Sequence, residues 1–409
     1  RAAWRGANLG GWFLLEPGPA SPLFENTEAA LSARVGGCEW TLCAALDQSR
    51  THSKAEVLDQ HRATQYTSET FQEISRAGLN AVRVPFGYWI VTGPTHDDIY
   101  HGPALPDLDR AVELAKAAGL QVLLDLHGCP GGENAMRPCG REHSGWTWQQ
   151  WRREESVAVL RAVAARYQHA DHVTGIQVCN EPSPAIPASV LCDYYESAIS
   201  AVRDAGMPAS RVAVLLPVFT QWRVQELLQL WHARGNLLRF DNIAWDLHLY
   251  HDFHPAWSLL SHQQHSEVVV EDARSLALLP GSVVGEWSLA RPGSYSEEEV
   301  ADFGVAQVRA YNHALHGWFF WNWHDHEALD RWDMRRGVMG RGRLPAPLGS
   351  LGSELVNEAW EVDAWSQASG RASLLSASSL VSFLGRWVAN PLVGLYDGGM
   401  KSWLRRLVP

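Results

Sequence analysis

Short, nearly continuous apolar runs alternate with longer amphipathic stretches along most of the chain. The runs Trp4–Asn8, Asn80–Phe86, Gln121–His127, Gly175–Asn180, Val212–Val218, Ile243–Tyr250, Val283–Glu286 and Trp318–Trp323 read as strands. Between them, Ser53–Ala77, Leu108–Ala118, Trp148–Tyr167, Ala188–Ala205, Gln221–Ala233, Ser258–Leu279 and Ser296–Leu315 carry helical periodicity. Ser296 followed by Glu297, Glu298 and Glu299 is a helix start, with a capping hydroxyl and negative charge at the positive end of the dipole. Gly78 and Gly119 stand where helices need a left-handed terminating residue.

Strands this apolar, each separated by a helix, are parallel and buried on both faces. Eight such units predict an α/β chain folded as a (β/α)8 TIM barrel. A doubly wound dinucleotide-binding sheet is excluded, because no G-x-G-x-x-G follows the first strand. The pattern changes after Gly340. Residues 341–352 read as a Pro/Gly linker, and the rest carries helical periodicity with four tryptophans. The expected division is a barrel domain over 1–348 and a C-terminal helical extension over 349–409, packed on the barrel exterior.

Composition narrows the function. With 34 basic and 45 acidic residues the net charge is −11, which argues against nucleic acid or an anionic membrane as the main partner. No apolar run is long enough to span a membrane. Twenty tryptophans exceed what core filling requires and point to a surface that stacks flat rings such as sugars. Six cysteines, at 38, 43, 129, 139, 179 and 192, leave fifteen pairings open. Cys38 with Cys43, and Cys129 with Cys139, are local disulfide candidates. Cys179 is expected to be a buried thiol, sharing a side with Glu181 by strand alternation.

In such a barrel the chemistry sits at the C-terminal ends of the strands. Arg83, His127, Asn180, Glu181, His248, Tyr250, Glu286, Trp321 and Trp323 all fall there. Two carboxylates in a tryptophan-lined mouth are the equipment for glycoside cleavage: one protonates the leaving oxygen and the other attacks the anomeric carbon. Each carboxylate taken alone reads more simply as half of a barrel-end ion pair. Histidines over 248–254 and at 324 and 326 raise a metal-dependent hydrolase as a rival, but strand 1 offers only Asn8 as a candidate ligand. No metal and no cofactor are expected.

The motifs Arg5-Gly-Ala-Asn-Leu-Gly-Gly-Trp-Phe-Leu-Leu-Glu-Pro, Arg83-Val-Pro-Phe, Asp125-Leu-His-Gly-Cys-Pro-Gly-Gly, Asn180-Glu-Pro, His248-Leu-Tyr, Gly285-Glu-Trp and Gly317-Trp-Phe-Phe-Trp-Asn-Trp stand in this order along the chain. The set resembles glycoside hydrolase family 5, and within it the fungal-type exo-β-1,3-glucanase branch, from about Trp4 to Leu348. The resemblance implies a retaining mechanism with Glu181 as acid/base and Glu286 as nucleophile. It implies that Asn180 binds the sugar 2-hydroxyl, Arg83 and Tyr250 align the nucleophile, and His127 and His248 line the cleavage site. Trp321 would be the stacking platform, with Trp323 beside it. Glu16 matches a residue that binds hydroxyls of the terminal glucose, and Phe253 one half of an aromatic entrance clamp.

The loop after His127 departs from the branch. Met136 replaces the other clamp phenylalanine, and Arg137-Pro138 replaces a glucose-binding pair; Asn134 of the same loop is placed among the substrate-binding residues. The expected partner is a β-glucan or β-glucoside, with no nucleic acid and no stable membrane span, acting on a monomer. Secretion is the expected destination. Readings kept beside the exo-β-1,3-glucanase are a β-glucosidase of lipid-linked glucosides, an endo-β-1,4-glucanase or mannanase, and a carbohydrate-binding pseudo-enzyme.

Overall fold

The structure, a computed structural model, describes residues 2–26, 37–326 and 330–344. Eight strands form a closed, all-parallel barrel in chain order: β1 Trp4–Asn8, β2 Ala81–Gly87, β3 Gln121–Gly128, β4 Val173–Gln177, β5 Ala213–Pro217, β6 Ile243–Leu249, β7 Ser282–Trp287 and β8 Gly317–Phe320. β8 pairs back onto β1 and removes both sheet edges. The strands are apolar almost throughout because helices cover their outer faces while side chains fill the interior. The longer helices are α1 Glu39–Gln48, α2 Lys54–Thr64, α3 Ser68–Arg76, α4 Leu105–Ala117, α5 Arg153–Tyr167, α6 Ala188–Asp204, α7 Val224–Ala233, α8 His262–Leu278 and α9 Glu297–Tyr311. The barrel fold predicted from the pattern is therefore present. The expected extension over 349–409 and its boundary lie outside the described residues.

Local signals mostly act as expected. Ser296 caps α9: its Oγ accepts from the Glu299 amide at 3.2 Å, and the Glu299 carboxylate accepts from the Ser296 amide at 2.8 Å. Gly78 and Gly119 have φ of 84° and 72°. The stretch over Ser53–Ala77 is two helices rather than one. Thr67 starts α3 with its own capping box, and the turn aims Tyr66 inward so that its hydroxyl donates to the Gly10 carbonyl at 3.0 Å.

The cysteine pairings are corrected. All six cysteines are free and buried. Cys38 caps α1 while Cys43 lies within that helix. The Cys139 thiol donates to the carbonyl oxygens of Met136 and Asn134, at 2.9 and 3.2 Å. Cys179 is a buried thiol as expected, but it joins the core while Glu181 faces His248. β4 ends at Gln177, so strand alternation does not carry through to either residue.

Candidate active site

Arg83 is the hub of the mouth. It is fully buried in the middle of β2, and its guanidinium donates to Asn8 Oδ1 (2.7 Å), Gln177 Oε1 (2.8 Å), Glu286 Oε1 (2.8 Å) and Asn180 Oδ1 (2.9 Å). Its Nη2 also lies 2.9 Å from Asp125 Oδ2. A planar, permanently charged donor with a fixed fork can hold several groups in one geometry, which a lysine could not. Asn8 in turn donates to the Gly285 and Phe320 carbonyls, tying β1 to β7 and β8.

A register irregularity sets the nucleophile position. Leu247 of β6 faces Val284 of β7, but the next residue, His248, faces Glu286, so Gly285 is skipped. The Gly285 amide donates to Asp246 Oδ1 at 2.8 Å, and a Cβ on Gly285 would stand 2.4 Å from that oxygen. Only glycine admits this approach. His248 Nδ1 consequently lies 2.8 Å from Glu181 Oε1 and 3.3 Å from Glu286 Oε2, while its Nε2 is 3.6 Å from Asp246 Oδ2. Tyr250 donates its hydroxyl to Glu286 Oε2 at 2.9 Å.

These contacts set the charges. Burial would raise the Glu286 pKa, but His248, Arg83, His127 and the Tyr250 hydroxyl outweigh it and hold the carboxyl below its ordinary value. Burial opposes charge on His248, yet Glu286, Asp246 and Glu181 raise its pKa well above the usual histidine value. Burial and the charges of Glu286, Glu181 and Asp325 push the Glu16 pKa well up, against Arg83. His127 Nδ1 lies 2.6 Å from Asp125 Oδ2, and its Nε2 receives the Asn180 amide at 3.2 Å.

Among the described residues, Glu181, His248 and Glu286 bring ligand atoms within 4.8 Å of one another, the spacing of a metal site. Arg83 and Tyr250, however, already hold the two oxygens of Glu286. Of the other histidines of the metal reading, His251 lies 2.9 Å from His265, His254 accepts from the Ala256 amide at 3.0 Å, and His324 lies 2.8 Å from Asp333.

The remaining expected residues divide. Trp321 is 8% exposed and lies parallel to His127 with ring centres 5.7 Å apart. Gly10 makes room for it, since a Cβ there would meet the indole at 2.8 Å. The loop bearing Glu16 is fixed by a bridge between Phe13 and Phe86 and by the Leu15 amide donating to Glu39 at 2.8 Å. Phe253, 63% exposed, packs on Tyr250 and Trp332 at the rim. Trp323 is instead buried in the main core: β8 ends at Phe320, so alternation with Trp321 does not persist. Asn134 is buried with its amide donating to the Glu181 carbonyl at 2.6 Å and its oxygen accepting from the Met136 amide at 2.7 Å. It holds protein rather than facing sugar. Sequence reasoning passed over Asp125, Gln177 and Asp246, although Asp125 and Asp246 each stand two residues before a strand-end histidine.

A (β/α)8 barrel with two facing carboxyls, one held ionised, defines a glycosidase. The cellulase (glycosyl hydrolase family 5) profile matches residues 46–327. The Aspergillus clavatus protein described as probable glucan 1,3-beta-glucosidase A is 32% identical over 396 residues, covering 84% of this chain and 87% of that protein. The glucan 1,3-beta-glucosidase of Lachancea kluyveri is 28% identical over 397 residues, covering 84% and 87%. The solved rutinosidase from Aspergillus niger shares the fold, with a TM-score of 0.68 at 19% identity over 83% of this chain and 97% of that one. This chain belongs to glycoside hydrolase family 5.

Proposed function

We propose that this glycosidase removes terminal glucose from β-1,3-glucan by double displacement, with net retention at the anomeric carbon. Glu286 attacks the anomeric carbon and forms a glycosyl ester as the glycosidic bond breaks. Glu181 gives its proton to the leaving oxygen, then takes one from the water that hydrolyses the ester. The observation that carries this reading is the approach of a Glu181 oxygen within 4.8 Å of a Glu286 oxygen. Retaining enzymes hold the two carboxyl groups about 5–5.5 Å apart, whereas inverting ones leave roughly 6.5–9.5 Å for a water.

Arg83 and Tyr250 occupy both oxygens of Glu286 and fix its direction of attack. The Asn180 oxygen is taken by Arg83 and one amide hydrogen points to His127, so its second N–H is the group available to a 2-hydroxyl. Glu16 supplies a hydrogen-bonding carboxyl to a terminal sugar, and Trp321 a flat face. The naming of relatives as glucan 1,3-beta-glucosidases supports the linkage. Laminarin digestion followed by proton NMR tests the whole reading. Glucose is the expected main early product, appearing first as the β anomer. A ladder of oligosaccharides would remove the exo assignment, and α-glucose appearing first would remove the retaining one.

A further inference from the structure

We propose that Glu133 is a positioning residue for Glu181, clamping the loop after β3 so that its Asn134 holds the acid/base backbone in place. This rests on the assignment of Glu181 above. Glu133 is fully buried four residues beyond the end of β3's motif Leu126-His-Gly-Cys. Its Oε2 accepts from the Cys129 amide at 3.2 Å, so the side chain closes the loop back onto its own beginning. Oε1 is buried without a hydrogen-bond partner. From this clamped turn two bonds cross to the strand end that carries Glu181. The Asn134 amide donates to the Glu181 carbonyl at 2.6 Å, and the Ser183 amide donates to the Glu133 carbonyl at 2.9 Å. Glu181 is thus bracketed, at its own carbonyl and two residues later, by the segment that Glu133 secures.

The surroundings of Glu133 suit a neutral acid. The titratable groups facing it are Asp125 from β3, Cys129 and Cys139 from its own loop, Cys179 beyond β4 and Tyr194 from α6. None of these brings a positive charge. Burial pushes its pKa up to about 8, against the lowering effect of the backbone amides and with Asp125 adding to the rise. A neutral carboxyl keeps an acceptor for the Cys129 amide without an uncompensated buried charge. Glutamine is the isosteric substitute for that form, and alanine removes the clamp.

The experiment compares kcat/KM of wild type, Glu133→Gln, Glu133→Ala and Glu181→Ala on 2,4-dinitrophenyl and phenyl β-glucosides. Departure of dinitrophenolate needs no acid, whereas departure of phenolate does, so a defect at the acid appears selectively on the phenyl substrate. Glu133→Ala is expected to lose at least tenfold on the phenyl glucoside and less than threefold on the dinitrophenyl one, with Glu133→Gln within threefold of wild type on both. Equal losses on both substrates, or no loss in the alanine variant, overturn the proposal. If Glu133→Ala does not fold, Asn134→Ala cuts the same link and is read by the same two criteria. Glu181→Ala separates the two levels: selective loss there without selective loss at Glu133 or Asn134 rejects this proposal alone, while its absence in Glu181→Ala rejects the acid/base assignment and this proposal with it.

Discussion

The barrel interior carries two layers on the same strands. Trp4, Ala81, Leu123, Ala244, Val283 and Phe319 belong to the lower one, an apolar cluster sealed from solvent. Two residues further along, Arg83 follows Ala81, Asp125 follows Leu123 and Asp246 follows Ala244. The two layers share a pleat and a similar degree of burial, yet their energetics differ. Below, each large aliphatic or aromatic side chain removed from water contributes about 1.5–3 kcal/mol. Above, the attraction among buried charges roughly cancels the cost of desolvating them. The upper layer therefore adds little net stability for its size. What it supplies is a fixed field around Glu286, already oriented before substrate arrives.

Arg83→Met breaks the upper layer and carries the largest expected effect. It leaves Asp125 and Glu286 as buried charges without their shared partner, a loss of about 3–5 kcal/mol in stability. Activity of the folded fraction should fall about a thousandfold, the scale reached when a preorganised electrostatic contact is removed. Denaturant unfolding and kcat/KM on an aryl glucoside measure the two effects. Retention of activity within tenfold would show that the hub is not what aligns the nucleophile.

Leu123→Ala probes the layer beneath. Leu123 is fully buried in the lower cluster, two residues before Asp125. The cavity should cost about 2–5 kcal/mol of stability. Because no polar contact of the mouth is lost, kcat/KM at a temperature where the variant is folded should stay within about threefold of wild type. A large catalytic loss in a well-folded Leu123→Ala protein would mean that the layers are mechanically coupled, and the contrast between them would fail.

How much of this was legible in the sequence follows the same division. Alternation along a strand is local, so the apolar lower layer, Arg83, His127 and His248 could all be placed by period. The strand ends gave Glu181 and Glu286. Alternation misled where a strand stopped early: β4 ends at Gln177 and β8 at Phe320, so Cys179 and Glu181 part company and Trp323 enters the core. The skipped Gly285, which sets Glu286 opposite His248, is a property of two paired strands that neither sequence run contains alone. The local cysteine pairs failed for a similar reason, since short spacing does not decide what each thiol meets in the fold. Asn134 looked like a sugar contact because of where it stands in the chain. Its partners are the carbonyl and amide that the folded loop presents to it.

Tyr250→Phe gives the smallest and most specific test of the upper layer. The phenol donates to Glu286 Oε2 and is among the groups that hold this carboxyl below its ordinary pKa, after His248, Arg83 and His127. Removing it keeps the ring against Phe253 and Trp332 while deleting one hydrogen bond to the ionised form. A hydrogen bond to a charged group worth roughly 1.5 kcal/mol corresponds to about one pKa unit. The nucleophile must be ionised, so activity is present above the Glu286 pKa and lost as pH falls through it. Raising that pKa moves the acidic limb of kcat/KM upward, and the ratio of wild type to variant should grow as pH is lowered, levelling at about tenfold below both limbs. The linkage has the same sign: stability from ionised Glu286 is present above the unfolded carboxyl pKa and is lost as pH falls through the folded one. The variant should therefore lose less stability on acidification than wild type. A limb that stays fixed, or moves down, would mean that the Tyr250 hydroxyl does not stabilise the charged nucleophile, leaving His248, Arg83 and His127 to hold it.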